Sequence, residues 1–399
     1  MNKVSKVAVL VCAVTLTVSP CWTQPSPPLS DEEIWARIEQ LQKELDELKA
    51  LVNQRAASPI DKPAAPSPSP ITVAAPSKFR FSGYLQARAF DDQTTTNAPK
   101  RTDQFNVRRV RLEFAGDLSQ NVGGRLTFDV GGSTGVGSLR DAYVDVKTKA
   151  ATFRVGQWKF PFNYEMALSE SEQMALEASL ATQRLFPGSR ERGAMVDVDL
   201  SKSLHAPLSL QVALFNGVGP NQSDNNQSKD VFASLSYSTP KFQARLSGIT
   251  GHFNFTPTSG AGAPFRTTKR RVGLTLRTVQ SGWDVHGQFI RGQGDFPTSG
   301  SAPTLTGTLG TTGSFNNNDV AGWYVMAARK LHAKPITLWG RFERFDPNTD
   351  IGGDTIGIGA MGGFWDATPQ LRFTLGIYRK AFRTVPEKTT LGFQTQVKF

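Results

Sequence analysis

The sequence predicts an all-β protein: a 16-stranded antiparallel transmembrane β-barrel, preceded by a short N-terminal α-helical coiled coil. Three observations carry this reading. From Phe79 to Phe399 the chain falls into runs in which apolar and polar side chains alternate with period two, as in strands with one apolar and one wet face. The connections between these runs alternate between short and long. The first residues form a basic start and a short apolar core, which places the runs in a secreted, envelope context.

The clearest run is the last. Leu391, Phe393, Thr395, Val397 and Phe399 line one face of Thr389 to Phe399, and Thr390, Gly392, Gln394, Gln396 and Lys398 line the other. A membrane barrel must pair its last strand with its first, because an open sheet edge in lipid leaves backbone groups unsatisfied. The edge strand of a soluble β-sandwich is the other reading of this stretch alone. The sixteen runs lie near 79–90, 105–116, 122–131, 139–148, 152–159, 193–200, 208–216, 230–237, 242–251, 270–279, 283–291, 320–330, 336–345, 354–364, 370–380 and 388–399. Connections after even-numbered runs are short, as at 117–120, 149–151, 280–282 and 365–369. Those after odd-numbered runs are mostly long, at 91–104, 160–192, 217–229, 252–269 and 292–319. A sandwich has no reason to sort loops by parity, whereas a membrane barrel has short periplasmic turns and long external loops. Sixteen strands enclose an open lumen. Trp283, Trp323, Phe364 and Phe399 near run ends are candidates for an aromatic girdle.

Ahead of the barrel, Lys3, Lys6 and the apolar stretch Val7 to Val18 read as a signal peptide over 1–24. Both cysteines, Cys12 and Cys21, lie there, so the remainder has no disulfide framework and no thiol metal site. Ser30 and Glu33 form a capping box. Ile34, Ile38, Leu41, Leu45, Leu48 and Val52 then recur at alternating spacings of four and three, which gives a coiled-coil helix over 30–55. So short a helix is marginal alone and reads as a self-associating arm, able to meet peptidoglycan or another periplasmic partner. Pro59, Pro63, Pro66, Pro68, Pro70 and Pro76 make 56–77 an extended linker, and 78–399 is the barrel.

Basic and acidic residues are equal in number over the first 78 positions, so the whole net charge of +11 belongs to the barrel. With a secretory signal, a basic body points to anionic solutes or surfaces rather than nucleic acid. Strand patterning puts Arg88, Arg109, Arg111, Arg125, Arg245, Arg271, Arg277, Arg341 and Arg372 on wet faces, where guanidinium groups would attract anions. Glu113, Asp129, Asp141, Asp145, Asp197, Asp199, Asp284 and Glu343 share those faces, so cross-strand neutralisation stays open for each arginine. The 160–192 loop is the constriction candidate. It reads as helical from Glu165 to Arg184, and Lys159, Glu165, Arg184, Arg190 and Arg192 would set the charge there.

No catalytic residues, metal or cofactor are expected. His205, His252, His286 and His332 are scattered, and no nucleophile elbow occurs. Asp346, Asn348, Asp350 and Asp354 lack the glycine and the terminal acid of a calcium loop.

The stretches Phe105 to Gly116, Leu139 to Val146 and Phe153 to Phe162, then Glu165, Ser169 and Arg190 to Gly193, resemble the phosphate-selective porin O and P family. The resemblance extends over 79–399 and is most specific at 105–193. It implies a sixteen-stranded, homotrimeric porin in outer-membrane lipid, with passive diffusion of anions, phosphate or polyphosphate in the family's named members. The reading of another class is a structural tether between outer membrane and cell wall through the coiled coil.

Overall fold

The computed structural model describes residues 79–94, 100–131, 137–224, 226–255, 265–295, 316–332, 334–382 and 388–399, together with 39, 40, 42–44, 46 and 47. The chain divides into two units, Met1–Thr72 and Val73–Phe399. In the first, the few described residues are helical and exposed. The apolar positions of the expected coiled coil, the signal peptide and the Pro-rich linker lie outside the described residues.

The second unit is a closed antiparallel barrel. Its strands are β1 (Arg80–Thr94), β2 (Lys100–Asp117), β3 (Val122–Asp129), β4 (Ser138–Lys147), β5 (Ala151–Lys159), β6 (Arg190–Asp199), β7 (Leu208–Phe215), β8 (Asp230–Ser238), β9 (Phe242–Phe255), β10 (Phe265–Gln280), β11 (Trp283–Asp295), β12 (Asn316–Lys330), β13 (Ile336–Asp346), β14 (Ile356–Asp366), β15 (Leu371–Phe382) and β16 (Lys388–Lys398). Each pairs with its sequence neighbours, and β16 closes on β1. The expected number of strands and the parity of the turns are both observed. Three expected loops are shorter than expected. Pairing runs out to Thr94 and Lys100, to Phe255 and Phe265, and to Asp295 and Asn316. A ladder gains a hydrogen bond with every added residue pair, so these strands outrun the amphipathic segments that the sequence marks.

Side chains alternate as a lipid-facing barrel requires. Leu126, Val144, Leu246, Leu274, Phe289, Phe342, Met361 and Leu375 are exposed on the outer face. At the short-turn end that face carries Phe81, Phe153, Tyr237, Phe242, Trp283, Trp365 and Phe399, all exposed. Two girdle candidates are corrected. Phe364 points inward and is buried, and its neighbour Trp365 takes the outer position. Trp323 packs on Phe342 with ring centroids 5.6 Å apart, in the middle of β12 rather than at its end.

The seam between first and last strands is tight. Gly83 N–H donates to the Phe399 carbonyl at 2.8 Å, and Phe399 N–H returns a bond to Gly83 at 3.0 Å. A Cβ on Gly83 would lie 2.6 Å from the Phe399 ring and closer still to the Arg111 carbonyl. Gly83→Val is therefore expected to displace the terminal strand and cost about 1–3 kcal/mol through overpacking. A lower temperature for the heat-dependent shift in gel mobility checks this.

Candidate functional site

The connection from β5 to β6 enters the barrel and meets inward-facing side chains all round the wall. Its backbone forms α1 (Tyr164–Ala167) and α2 (Leu180–Leu185), with irregular chain between them. The continuous helix expected from Glu165 to Arg184 is not formed. Its middle is held open by bonds to the wall, which outweigh local helix propensity. Glu165 ties the two short helices together: it accepts hydrogen bonds from Ser179 N–H at 2.8 Å, Ser179 Oγ at 2.6 Å and Thr182 Oγ1 at 2.8 Å. Asn163 caps α1, its Oδ1 accepting from Met166 N–H at 2.8 Å. Arg341 lies 3.5 Å from Glu165 and 3.1 Å from Glu343, and it donates to the Glu177 carbonyl at 2.9 Å. Glu343 in turn accepts from Leu180 N–H at 2.6 Å.

Between β1 and β2, a β-bulge governs the electrostatics. The β1–β2 register skips between Gln86 and Ala87, so Arg109 sits opposite Gln86 and Val107 opposite Ala87. The extra residue is Arg108. Strict alternation would turn it to lipid, but the bulge lets it reach the lumen, where it meets Glu177 at 2.8 Å. Arg88 and Arg109 converge on the same carboxylate, Arg109 at 3.1 Å. The sequence reading missed Arg108, because a bulge carries no composition signal here. A second bulge, between Thr127 and Phe128 of β3, frees Arg140 to donate to the Gly188 carbonyl at 3.3 Å. One turn along the loop, Glu170 faces Arg190 at 3.3 Å, Lys159 at 3.5 Å and Arg111 at 3.8 Å. Arg190 also grips Asp141 at 3.0 Å, and Arg111 grips Asp129 at 3.0 Å.

Burial alone would push the Glu177 carboxyl up, but Arg108, Arg109 and Arg88 outweigh it and hold it far below the usual carboxylate range. Glu170 behaves alike, with burial opposed by Lys159, Arg111, Arg190 and Arg109. A depressed native pKa gives stabilisation that is complete above the unfolded value and lost only as pH falls through the native one. The Glu177 and Glu170 anchors are therefore expected to keep their charge through the ordinary carboxylate range, so that the strap stays seated on the β1–β2 side and no jump in conductance accompanies a fall from pH 7 to about pH 4. Bilayer recordings at the two values check this.

The remaining arginines divide in two. Arg245 donates to the Pro161 carbonyl at 2.6 Å, and Arg271 donates to the Leu185 carbonyl, so both hold the loop by its backbone. Near the short turns, Arg125 pairs with Glu113 (3.5 Å), Arg277 with Asp284 (2.7 Å) and Arg372 with Asp366 (2.6 Å). Two further residues expected at the constriction have other neighbours. Arg184 sits over the Phe345 ring at 5.1 Å, and Arg192 binds Gln157 and the Gln222 carbonyl. The lumen also holds an apolar core that was not expected. Phe160, Phe162, Leu185 and Phe186 pack on inward Phe215, Phe232, Ile290 and Phe345. The guanidinium groups expected to face water are thus mostly engaged by carboxylates or carbonyls, and much of the β7–β14 inner wall is covered by the loop.

A closed antiparallel barrel with an apolar outer belt and one long loop strapped across its lumen defines a porin. The sequence profile of the phosphate-selective porin O and P family matches residues 81–343, and the chain belongs to that family. It is an outer-membrane porin for small solutes. Among solved structures it is similar to the anion-selective porin from Comamonas acidovorans, with TM-score 0.60 and 10% identity, covering 81% of this chain and 100% of that one. It is also similar to OprB of Pseudomonas putida, with TM-score 0.59 and 11% identity over 80% and 94% of the two chains. OmpT of Vibrio cholerae, in its trimer form, gives TM-score 0.57 at 10% identity over 82% and 100%. At these identities the likeness is one of fold. No curated protein matches the chain.

Proposed function

We propose that this porin passes small anions in preference to cations, phosphate among them. The observation that carries this is the charge on the β1–β6 side of the strap. Arg88, Arg108, Arg109, Arg111, Arg140, Lys159 and Arg190 meet there, and Glu170, Glu177, Asp129 and Asp141 are too few to neutralise them. Selectivity follows the charge at the narrowest point, and we place that point at the strap, beside this net-positive cluster. The anion-selective neighbour from Comamonas acidovorans supports the reading. The reversal potential of the purified protein in a KCl gradient tests it, and a clear cation preference would remove the anion claim.

A homotrimer is the assembly we infer, supported by the trimeric Vibrio cholerae neighbour. The proposed arrangement of the chain is a signal peptide at 1–24, a coiled-coil arm at 30–55, a linker at 56–77 and the barrel from 78. Deleting 30–77 tests whether the arm tethers the outer membrane to the cell wall, and unchanged envelope integrity would reject the tether.

A further inference from the structure

On the short-turn side of the strap, the inner wall and the loop enclose a cavity of about 560 Å³, within the roughly 300–1,000 Å³ usual for small-molecule sites. Met166 to Glu172 cover it from the loop, and Gly83 and Phe399 lie at its other edge. Three of its lining groups, all at least nine-tenths buried, have no hydrogen-bond partner among the described residues: the Tyr84 hydroxyl, the Thr127 hydroxyl and the Trp158 indole N–H. Buried polar atoms left unpaired are uncommon in folded proteins, and several on residues that line one cavity mark a place where a solute or water supplies the missing bonds. The strand register sets them in one row across five strands. Tyr84 is opposite Arg111, Glu113 opposite Thr127 and Thr127 opposite Asp141. The pairing of Ala142 with Gln157 puts Trp158 beside Asp141.

We propose that this cavity binds a neutral, polyhydroxylated solute of one or two sugar rings. The chemistry of the row decides the class. Asp141 and Glu113 offer only acceptors, the Trp158 N–H and the guanidinium groups offer only donors, and the two hydroxyls can do either. A sugar hydroxyl donates and accepts at once, so a ring carrying several can answer both kinds of neighbour. An inorganic anion such as phosphate, though it keeps a P–OH donor near neutral pH, brings its negative charge against the carboxylates of Asp141, Glu113 and Glu170 in the same space. Five of the six cations lining the cavity are already paired: Arg190 with Asp141, Arg111 with Asp129, Arg125 with Glu113, Arg154 with Asp145 and Lys159 with Glu170.

Calorimetric titration of the detergent-solubilised full chain with maltose tests the proposal without relying on conduction. Saturable binding is expected, with inorganic phosphate competing poorly. Thr127→Val and Tyr84→Phe each remove one hydroxyl and little else, and each is expected to weaken maltose binding roughly three- to tenfold, the effect of one hydrogen bond. Heat-modifiable gel mobility confirms the barrel in each variant. Absence of maltose binding, phosphate competing better than maltose, or variants that bind maltose like the parent would each overturn the site. Maltose binding by a cation-preferring channel would instead sink the anion reading and leave the site standing.

Discussion

Replacing Glu177 with Gln is expected to shift the reversal potential toward anions and to loosen the strap. Three guanidinium groups, from Arg88, Arg108 and Arg109, share this one carboxylate, whose side chain is 11% exposed. The amide keeps the shape and removes the charge. Removing one partner of a buried ion pair leaves the other charges uncompensated, typically at a cost of about 3–5 kcal/mol. Here the cost is met where the loop crosses β1 and β2, so thermal stability should fall. The freed positive charge then sits beside the solute path, where it raises the local concentration of anions. The anion-to-cation permeability ratio is expected to rise severalfold in a KCl gradient. An unchanged reversal potential would place Glu177 and its arginines away from the conducting path.

How far the sequence reveals this arrangement depends on what each feature leaves in the residue pattern. Period-two alternation is a direct consequence of two different solvents on the faces of one strand, so strands such as β3 and β16 are legible residue by residue. Loop parity is legible because the two membrane surfaces impose different lengths. Bulges are not. The extra residue in β2 reverses the facing of Arg108 without changing the composition around it, and the register skip becomes visible only against Gln86 and Ala87. The apolar core of the lumen is hidden for a related reason. Phe215, Phe232 and Phe345 sit on the face opposite the lipid, and only a folded loop pressed against them explains why that face is not wet. Phe364 and Trp365 are adjacent aromatics, and nothing in the pair says which of them faces lipid. Glu165 to Arg184 has the spacing of a helix, but the bonds that break it reach residues far along the chain, such as Tyr378, whose hydroxyl accepts from Leu176 N–H at 2.8 Å.

Excising the strap, residues 166–185, and joining its ends with a short Gly-Ser linker is expected to raise single-channel conductance at least twofold, given the roughly linear growth of diameter with strand number and the open channels of 16-stranded barrels. The loop is bonded to opposite walls of the lumen at once. Gln86 of β1 donates to the Glu170 carbonyl at 3.3 Å, Gln396 of β16 to the Ser171 carbonyl at 3.1 Å and, across the barrel, Arg271 of β10 to the Leu185 carbonyl. A segment spanning the cross-section in this way limits the area open to ions. Its removal also uncovers Phe215, Phe232, Ile290 and Phe345, which are now fully buried or nearly so. Exposing each of these to water costs on the order of 1.5–3 kcal/mol, so the widened barrel should unfold at a markedly lower temperature. The two readouts separate the roles. A loop resting on the outer rim would leave conductance unchanged, and one that merely occupied the lumen without packing would leave stability unchanged. The geometry requires both to move, conductance upward and stability downward, in the same variant.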